Sequence, residues 1–136
     1  MEQNKNETMS FGLHLMIDGY GGDPQKLNDY DLVLQCLSEL PERTGMQKII
    51  EPVVKAFPGN GLKDPGGHSG FVMIAESHIS IHTFPKRKFV SIDVYTCKNE
   101  LDREFMIGYF KEQFGLTDVE VNFVVRGTKY PVQNLA

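Results

Sequence analysis

The stretch HISIHTFPKRKFVSIDVYTC, residues 78–97, alternates apolar and polar residues on both sides of a short basic segment. Such alternation is typical of half-buried β-strands, and the proline-containing segment between the two strands predicts a hairpin. On the first strand the alternation groups His78, Ser80 and His82 on one face. The hairpin therefore predicts an antiparallel sheet, one face of which carries several groups that can transfer protons.

Further segments extend this sheet and cover it. The other strand predictions are residues 11–18, 47–57, 71–75 and 118–125. Apolar residues at helical spacing predict a helix over residues 27–40 that ends before Pro41. A second helix is predicted to begin at an Asn99 cap and to end at Gly115. This order predicts an α+β fold, a two-layer sandwich with a mostly antiparallel sheet and two helices packed on one face.

Composition and charge narrow the class of protein. The chain has 136 residues and a formal net charge of −4, which indicates a single domain over residues 1–136 and argues against a nucleic-acid partner. No apolar run approaches the length of a membrane span, and the polar residues 1–10 predict a loose tail rather than a signal peptide. Cys36 and Cys97 lack the spacing of a zinc site, which favours reduced thiols in the cytoplasm.

The second strand of the hairpin also has a polar face. Its members are Ser91, Asp93, Tyr95 and, just beyond the strand, Cys97. If the two polar faces coincide, a thiol, two imidazoles and a carboxylate share one patch, which suits acid–base and nucleophilic chemistry. The alternative is a solvated face without chemistry. A shared metal ion is not expected, because His78 and His82 would lie roughly 13 Å apart along a strand.

ESHISIHTFP followed by FVSIDVYTC closely resembles the small prokaryotic S-adenosylmethionine decarboxylases, which are proenzymes that cut themselves. The family pattern is a Glu-Ser-His at the cut, here Glu76, Ser77 and His78. A histidine follows five residues after the serine, and a cysteine twenty residues after it, here His82 and Cys97. The similarity covers roughly residues 11 to 125, and the combined motif is much more specific than any single residue.

This resemblance implies a pyruvoyl-dependent carboxy-lyase. The Ser77 hydroxyl would attack the carbonyl of Glu76, and elimination from the resulting ester would leave fragments 1–76 and 77–136. Residue 77 would become a pyruvoyl group that forms a Schiff base with the substrate amine, so that no separate cofactor is needed. The expected products are CO₂ and decarboxylated S-adenosylmethionine, the aminopropyl donor in spermidine biosynthesis.

The resemblance also implies a role for each remaining motif residue. His82 resembles the processing base, Ser69 in the Ser-Gly eight residues before the cut resembles the serine that supports processing, and Cys97 resembles the proton donor. The expected partners are a small amino-acid-type substrate and a second copy of the chain, because cleaved protomers of the family pair as a homodimer with their sheets packed together. Neither a nucleic acid nor a membrane is expected as a partner.

The sequence departs from the family at Lys86. Relatives usually have an acidic residue at this position, which is associated with the ribose hydroxyls of the substrate. A carboxylate accepts hydrogen bonds from two hydroxyls, whereas an ammonium only donates. Either another residue holds the ribose, or the pocket takes a smaller amino acid such as arginine or ornithine. A third possibility is a non-catalytic relative that is not cut.

Overall fold

The computed structural model of the chain describes residues 7–136. Its strands are β1 (Thr8–Met9), β2 (Gly12–Tyr20), β3 (Gln47–Lys48), β4 (Val53–Phe57), β5 (Gly67–Ala75), β6 (Ser77–Phe84), β7 (Phe89–Thr96), β8 (Asp118–Arg126) and β9 (Tyr130–Pro131). Its helices are α1 (Pro24–Leu27), α2 (Tyr30–Arg43) and α3 (Arg103–Phe114), and a 3-10 turn (Pro85–Arg87) joins β6 to β7.

Seven of these strands form one sheet. Its order is β3-β5-β6-β7-β2-β8, and β4 pairs with the same strand, β5, as β3 does. Every pairing in this sheet is antiparallel. The predicted hairpin is present as β6 and β7, with Ile81 opposite Ile92. The short strands β1 and β9 pair separately.

The hydrophobic core lies between one face of the sheet and the helices. From the sheet, Leu15, Ile17, Ile79, Ile81 and Val94 are completely buried. From the helices, Leu37, Leu40, Phe110 and Phe114 are completely buried against them. The alternation of the strands supplies the apolar face on one side and the polar groups on the other. The prediction of helices on one face of a mostly antiparallel sheet is confirmed.

Two predicted helix boundaries are wrong. Pro41 lies inside α2, which continues to Arg43, because a proline in the last turn removes few helical hydrogen bonds and this one is buried. The N-cap of α3 is Asp102 rather than Asn99, and its carboxylate accepts from the Phe105 N–H at 3.1 Å. The predicted end at Gly115 is confirmed, since this glycine has a left-handed backbone.

The segments around β5 also differ in detail from the prediction. The segment 47–57 is an edge, as Pro52 indicated, but it is divided into β3 and β4. The long loop ends at 66 rather than 70, because Gly67 already pairs with Phe57. Of the tail predicted over residues 1–10, Thr8 and Met9 form β1, and residues 1–6 lie outside the described residues.

Candidate active site

The two polar faces of the hairpin coincide. His78 lies opposite Tyr95, and Ser80 lies opposite Asp93 in the antiparallel register of β6 and β7. These side chains are half-buried on the face of the sheet that is turned away from the helices. The patch expected from the alternation is therefore present, and we call this surface the open face of the sheet.

His14 joins this patch from β2. Its Nε2 atom lies 2.8 Å from Asp93 Oδ1, and Ser80 donates to Asp93 Oδ2 at 3.5 Å. The sequence analysis did not connect His14 with the site, because the neighbouring strand of β2 is distant in sequence. Its outward position in the alternation of β2 was the only signal available. The centre of the open face is consequently a His–Asp–Ser hydrogen-bond network.

Ser69 and His82 form a second group of side chains on the open face. They are direct neighbours across β5 and β6, and His82 Nδ1 lies 2.8 Å from Ser69 Oγ. A hydroxyl bonded to an imidazole orients the ring and defines which nitrogen is available for proton transfer. The two residues for which the sequence predicted a joint role are thus in direct contact.

The predicted cut lies in the tight turn between β5 and β6. Glu76 is exposed in this turn, and Ser77 is the half-buried first residue of β6, opposite Thr96. The backbone N–H of Cys97 donates a hydrogen bond of 2.7 Å to the carbonyl oxygen of Glu76. This places a fixed donor on the oxygen of the peptide group that the sequence analysis identified as the cleavage site. It also brings Cys97 next to the junction.

One chain does not bring these two groups together. Ser77 and His82 are five residues apart on the same strand, which corresponds to roughly 16 Å at the rise of a β-strand. Five is an odd number, so alternation directs the two side chains to opposite faces of the sheet. His82 of the same chain is therefore too far from Ser77 to take its proton.

Comparison with known proteins places this arrangement in context. The family model described as S-adenosylmethionine decarboxylase matches residues 13–127. The chain belongs to the S-adenosylmethionine decarboxylase family. Proenzymes of this name from Pyrococcus abyssi and Clostridium botulinum are each 33% identical to it, over 118 and 116 residues. The matched regions are 87% and 85% of this chain and 80% and 94% of those proteins.

A solved structure supports the same assignment. The crystal structure of the adenosylmethionine decarboxylase from Aquifex aeolicus superposes with a TM-score of 0.74 at 28% identity, covering 88% of this chain and 92% of that one. S-adenosylmethionine decarboxylases are carboxy-lyases whose pyruvoyl group derives from an internal serine, as the word proenzyme indicates. The chain is consequently assigned to a class of enzymes that act on a small molecule.

Lys86 does not lie in the patch of the open face. It is exposed in the 3-10 turn and borders a cavity together with Pro24, Gln25 and Asn28 beside α1. In this member of the S-adenosylmethionine decarboxylase family, residue 86 is thus oriented toward the first helix. The ammonium group that the sequence places there is kept away from Ser69 and His82.

Cys36, the second thiol of this family member, is inert. It is completely buried in α2, and burial raises the pKa of its thiol to about 12. The residue therefore belongs to the core, as its position on the apolar side of the helix predicted. Among residues 7–136, no group of three or more potential ligands could hold a metal ion. No helix in the same range has the length and apolar character required to cross a membrane.

Proposed function

We propose that this protein is a cytoplasmic S-adenosylmethionine decarboxylase that matures by cutting its own chain between Glu76 and Ser77, and that its product serves spermidine biosynthesis. The observation that carries this proposal is the hydrogen bond of 2.7 Å from the Cys97 N–H to the Glu76 carbonyl oxygen. An N–H aimed at a carbonyl oxygen stabilises the negative charge that develops there when a nucleophile attacks the carbon.

The first step of maturation is an N-to-O acyl shift. The Ser77 hydroxyl attacks the Glu76 carbonyl carbon, and the Cys97 N–H stabilises the resulting oxyanion. Collapse breaks the peptide C–N bond and leaves an ester. A base then removes the Ser77 α-proton, and elimination releases the Glu76 carboxylate. Loss of ammonia by hydrolysis of the remaining dehydroalanine gives the pyruvoyl group at residue 77.

The residues around the junction fit this prosthetic group. Ser77 is half-buried rather than solvated, and Cys97 follows β7 at the strand end that lies beside Ser77. The pyruvoyl ketone supplies an electron sink for the bond that breaks when CO₂ leaves an amino acid. The Cys97 thiol, with an ordinary pKa near 8.5, keeps its proton at neutral pH and donates it to the substrate carbon.

The base for the elimination comes from a second copy of the chain. Ser77 and the Ser69–His82 pair occupy opposite ends of β6, so two sheets packed by a two-fold axis bring each end of one copy to the other end of its partner. The open face has the apolar character that such packing requires, because Phe71 and Met73 are 42% and 44% exposed there. The functional unit is therefore a homodimer in which His82 acts in trans.

Mass spectrometry and a substrate assay test this function together. Purified protein is expected to consist of fragments 1–76 and 77–136, the second with a pyruvoyl N-terminus. It is expected to release CO₂ from S-adenosylmethionine and not from arginine or ornithine. An uncut chain without activity would contradict the proposal, and a cut chain that prefers arginine or ornithine would assign the same chemistry to another substrate.

Replacement of Cys97 is expected to separate maturation from turnover. The Cys97→Ala variant keeps its backbone N–H, so it should still cut, but without the thiol decarboxylation should fall by roughly 10²-fold or more. Intact mass and kcat measure the two steps. The matched control is Cys36→Ala, which removes a thiol that lies outside the site. Full turnover by Cys97→Ala would exclude Cys97 as the proton donor.

A further inference from the structure

A separate pocket lies at the end of the open face where β6 and β7 are joined. It has a volume of about 590 Å³ and is lined by the aromatic side chains of Tyr20, Phe84 and Phe89. The ring of Phe89 lies 5.3 Å from that of Tyr20 and 5.7 Å from that of Phe84. This volume is in the range of small-molecule sites, and aromatic faces favour a planar ligand ring.

The phenol of Tyr20 is held as part of this wall. Its hydroxyl donates to Glu120 at 2.9 Å, and this hydrogen bond raises the pKa of Tyr20 above its ordinary value. The phenol therefore stays protonated and neutral at physiological pH. The hydroxyl is occupied by Glu120, so the ring face is what Tyr20 offers to a ligand.

Asp64 is the one carboxylate that lines the pocket among the described residues. Asn60 Oδ1 accepts from the N–H groups of Leu62 and Asp64, and Asp64 Oδ1 accepts from the Gly66 N–H at 2.8 Å. These bonds fold the loop and hold the half-buried Asp64. Within residues 7–136, Asp64 Oδ2 has no hydrogen-bond partner in the structure, so it can accept from a ligand.

The cations near the pocket are arranged differently. Lys63 and Arg87 are exposed at its rim, and Arg87 is already bonded to the carbonyl oxygen of Leu62 at 3.3 Å. Lys86 borders the other cavity, beside α1. Lys86 therefore does not occupy this pocket, and Asp64 faces it together with the aromatic rings.

We propose that this pocket is the nucleoside subsite, in which the aromatic wall packs against the purine and Asp64 accepts hydrogen bonds from the ribose hydroxyls. This inference rests on the proposed function, because it assigns the part of the substrate that does not react. Phe84 is two residues beyond His82, roughly 7 Å along the strand. In the two-fold dimer the pocket thus lies beside His82 and serves the Ser77 of the partner. Asp64 is a specificity-determining residue that takes the role expected of an acid at position 86.

The test compares wild type with Asp64→Asn. Asparagine keeps an Oδ1 acceptor for the Gly66 N–H, so the loop and self-cleavage should be preserved, and complete cleavage serves as the check of folding. Loss of a charged hydrogen-bond acceptor is expected to raise KM for S-adenosylmethionine about tenfold to a hundredfold with little change in kcat. Asp31→Asn, an equally conservative change at an exposed aspartate of α2, is the matched control.

A substrate without ribose hydroxyls makes the assignment specific. The 2′,3′-dideoxy analogue of S-adenosylmethionine should lose kcat/KM with wild type and lose almost nothing further with Asp64→Asn, because the same interaction is removed twice. Equal penalties in the two proteins would overturn the inference. A change of KM caused by Lys86→Met and not by Asp64→Asn would overturn it as well.

Binding separates this inference from the proposed reaction. 5′-Methylthioadenosine has the purine, the ribose hydroxyls and the sulfur, but no amine that could react. Calorimetry should give a Kd for wild type that rises about tenfold or more for Asp64→Asn. Binding without decarboxylation of S-adenosylmethionine would contradict the proposed function and support the subsite. Absence of binding to wild type would overturn the subsite even if decarboxylation occurs.

Discussion

A Ser77→Ala variant is expected to remain a single chain of 136 residues and to show no decarboxylation above background. Alanine lacks the oxygen that attacks the Glu76 carbonyl, so neither the ester nor the pyruvoyl group can form. The fold should persist, because Ser77 is only half-buried and its side chain has no hydrogen bond shorter than 3.5 Å among those described. Intact mass and CO₂ release measure the two losses.

Ser80→Ala is the control for this experiment. Ser80 lies on the same strand and contacts Asp93 at 3.5 Å, but the proposed mechanism gives it no part in cutting. This variant should be cut as completely as wild type. A Ser77→Ala protein that still separates between residues 76 and 77 would refute the mechanism.

Mixed dimers are expected to restore maturation to one of two inactive chains. Alone, the Ser77→Ala chain lacks the nucleophile, and the His82→Ala chain lacks the base. In a mixed dimer, the intact Ser77 of the His82→Ala copy meets the intact His82 of the Ser77→Ala copy. After co-expression with different tags and purification through both, mass spectrometry should show the His82→Ala copy cut and the Ser77→Ala copy whole.

A matched pairing controls for the effect of dimer formation. If the partner carries both Ser77→Ala and His82→Ala, no intact histidine is present and neither copy should be cut. An uncut His82→Ala chain in purified mixed dimers would contradict the action of His82 in trans. Normal cutting of His82→Ala alone would remove this residue from the mechanism.

The strand pattern was sufficient to predict the sheet and its polar face. Alternation has a period of two, so the residues that face the helices also determine which residues face away. Helix ends were less predictable, because Asn99 and Asp102 have the same capping chemistry and only the packing of α3 selects between them. Pro41 was misleading for a similar reason, since burial outweighs its local preference.

The site could be predicted in its parts and not in its arrangement. The motif identified Ser69, Ser77, His82 and Cys97 as members of one site. Only the register of β5 and β6 brings Ser69 into contact with His82, and only the strand length separates both from Ser77. His14 and Asp64 carry no local signal, because each becomes relevant through residues that are far away in sequence.

The strand order has a consequence for the life of the matured protein. Fragment 1–76 contributes β2, and this strand lies between β7 and β8, which both belong to fragment 77–136. Fragment 77–136 in turn contributes β6, which pairs with β5 of the first fragment. The two pieces are thus interleaved, and neither can leave without dismantling the sheet. Such a cut is irreversible chemically yet costs no subunit, and it must follow folding, because pieces made separately would each lack their neighbouring strands.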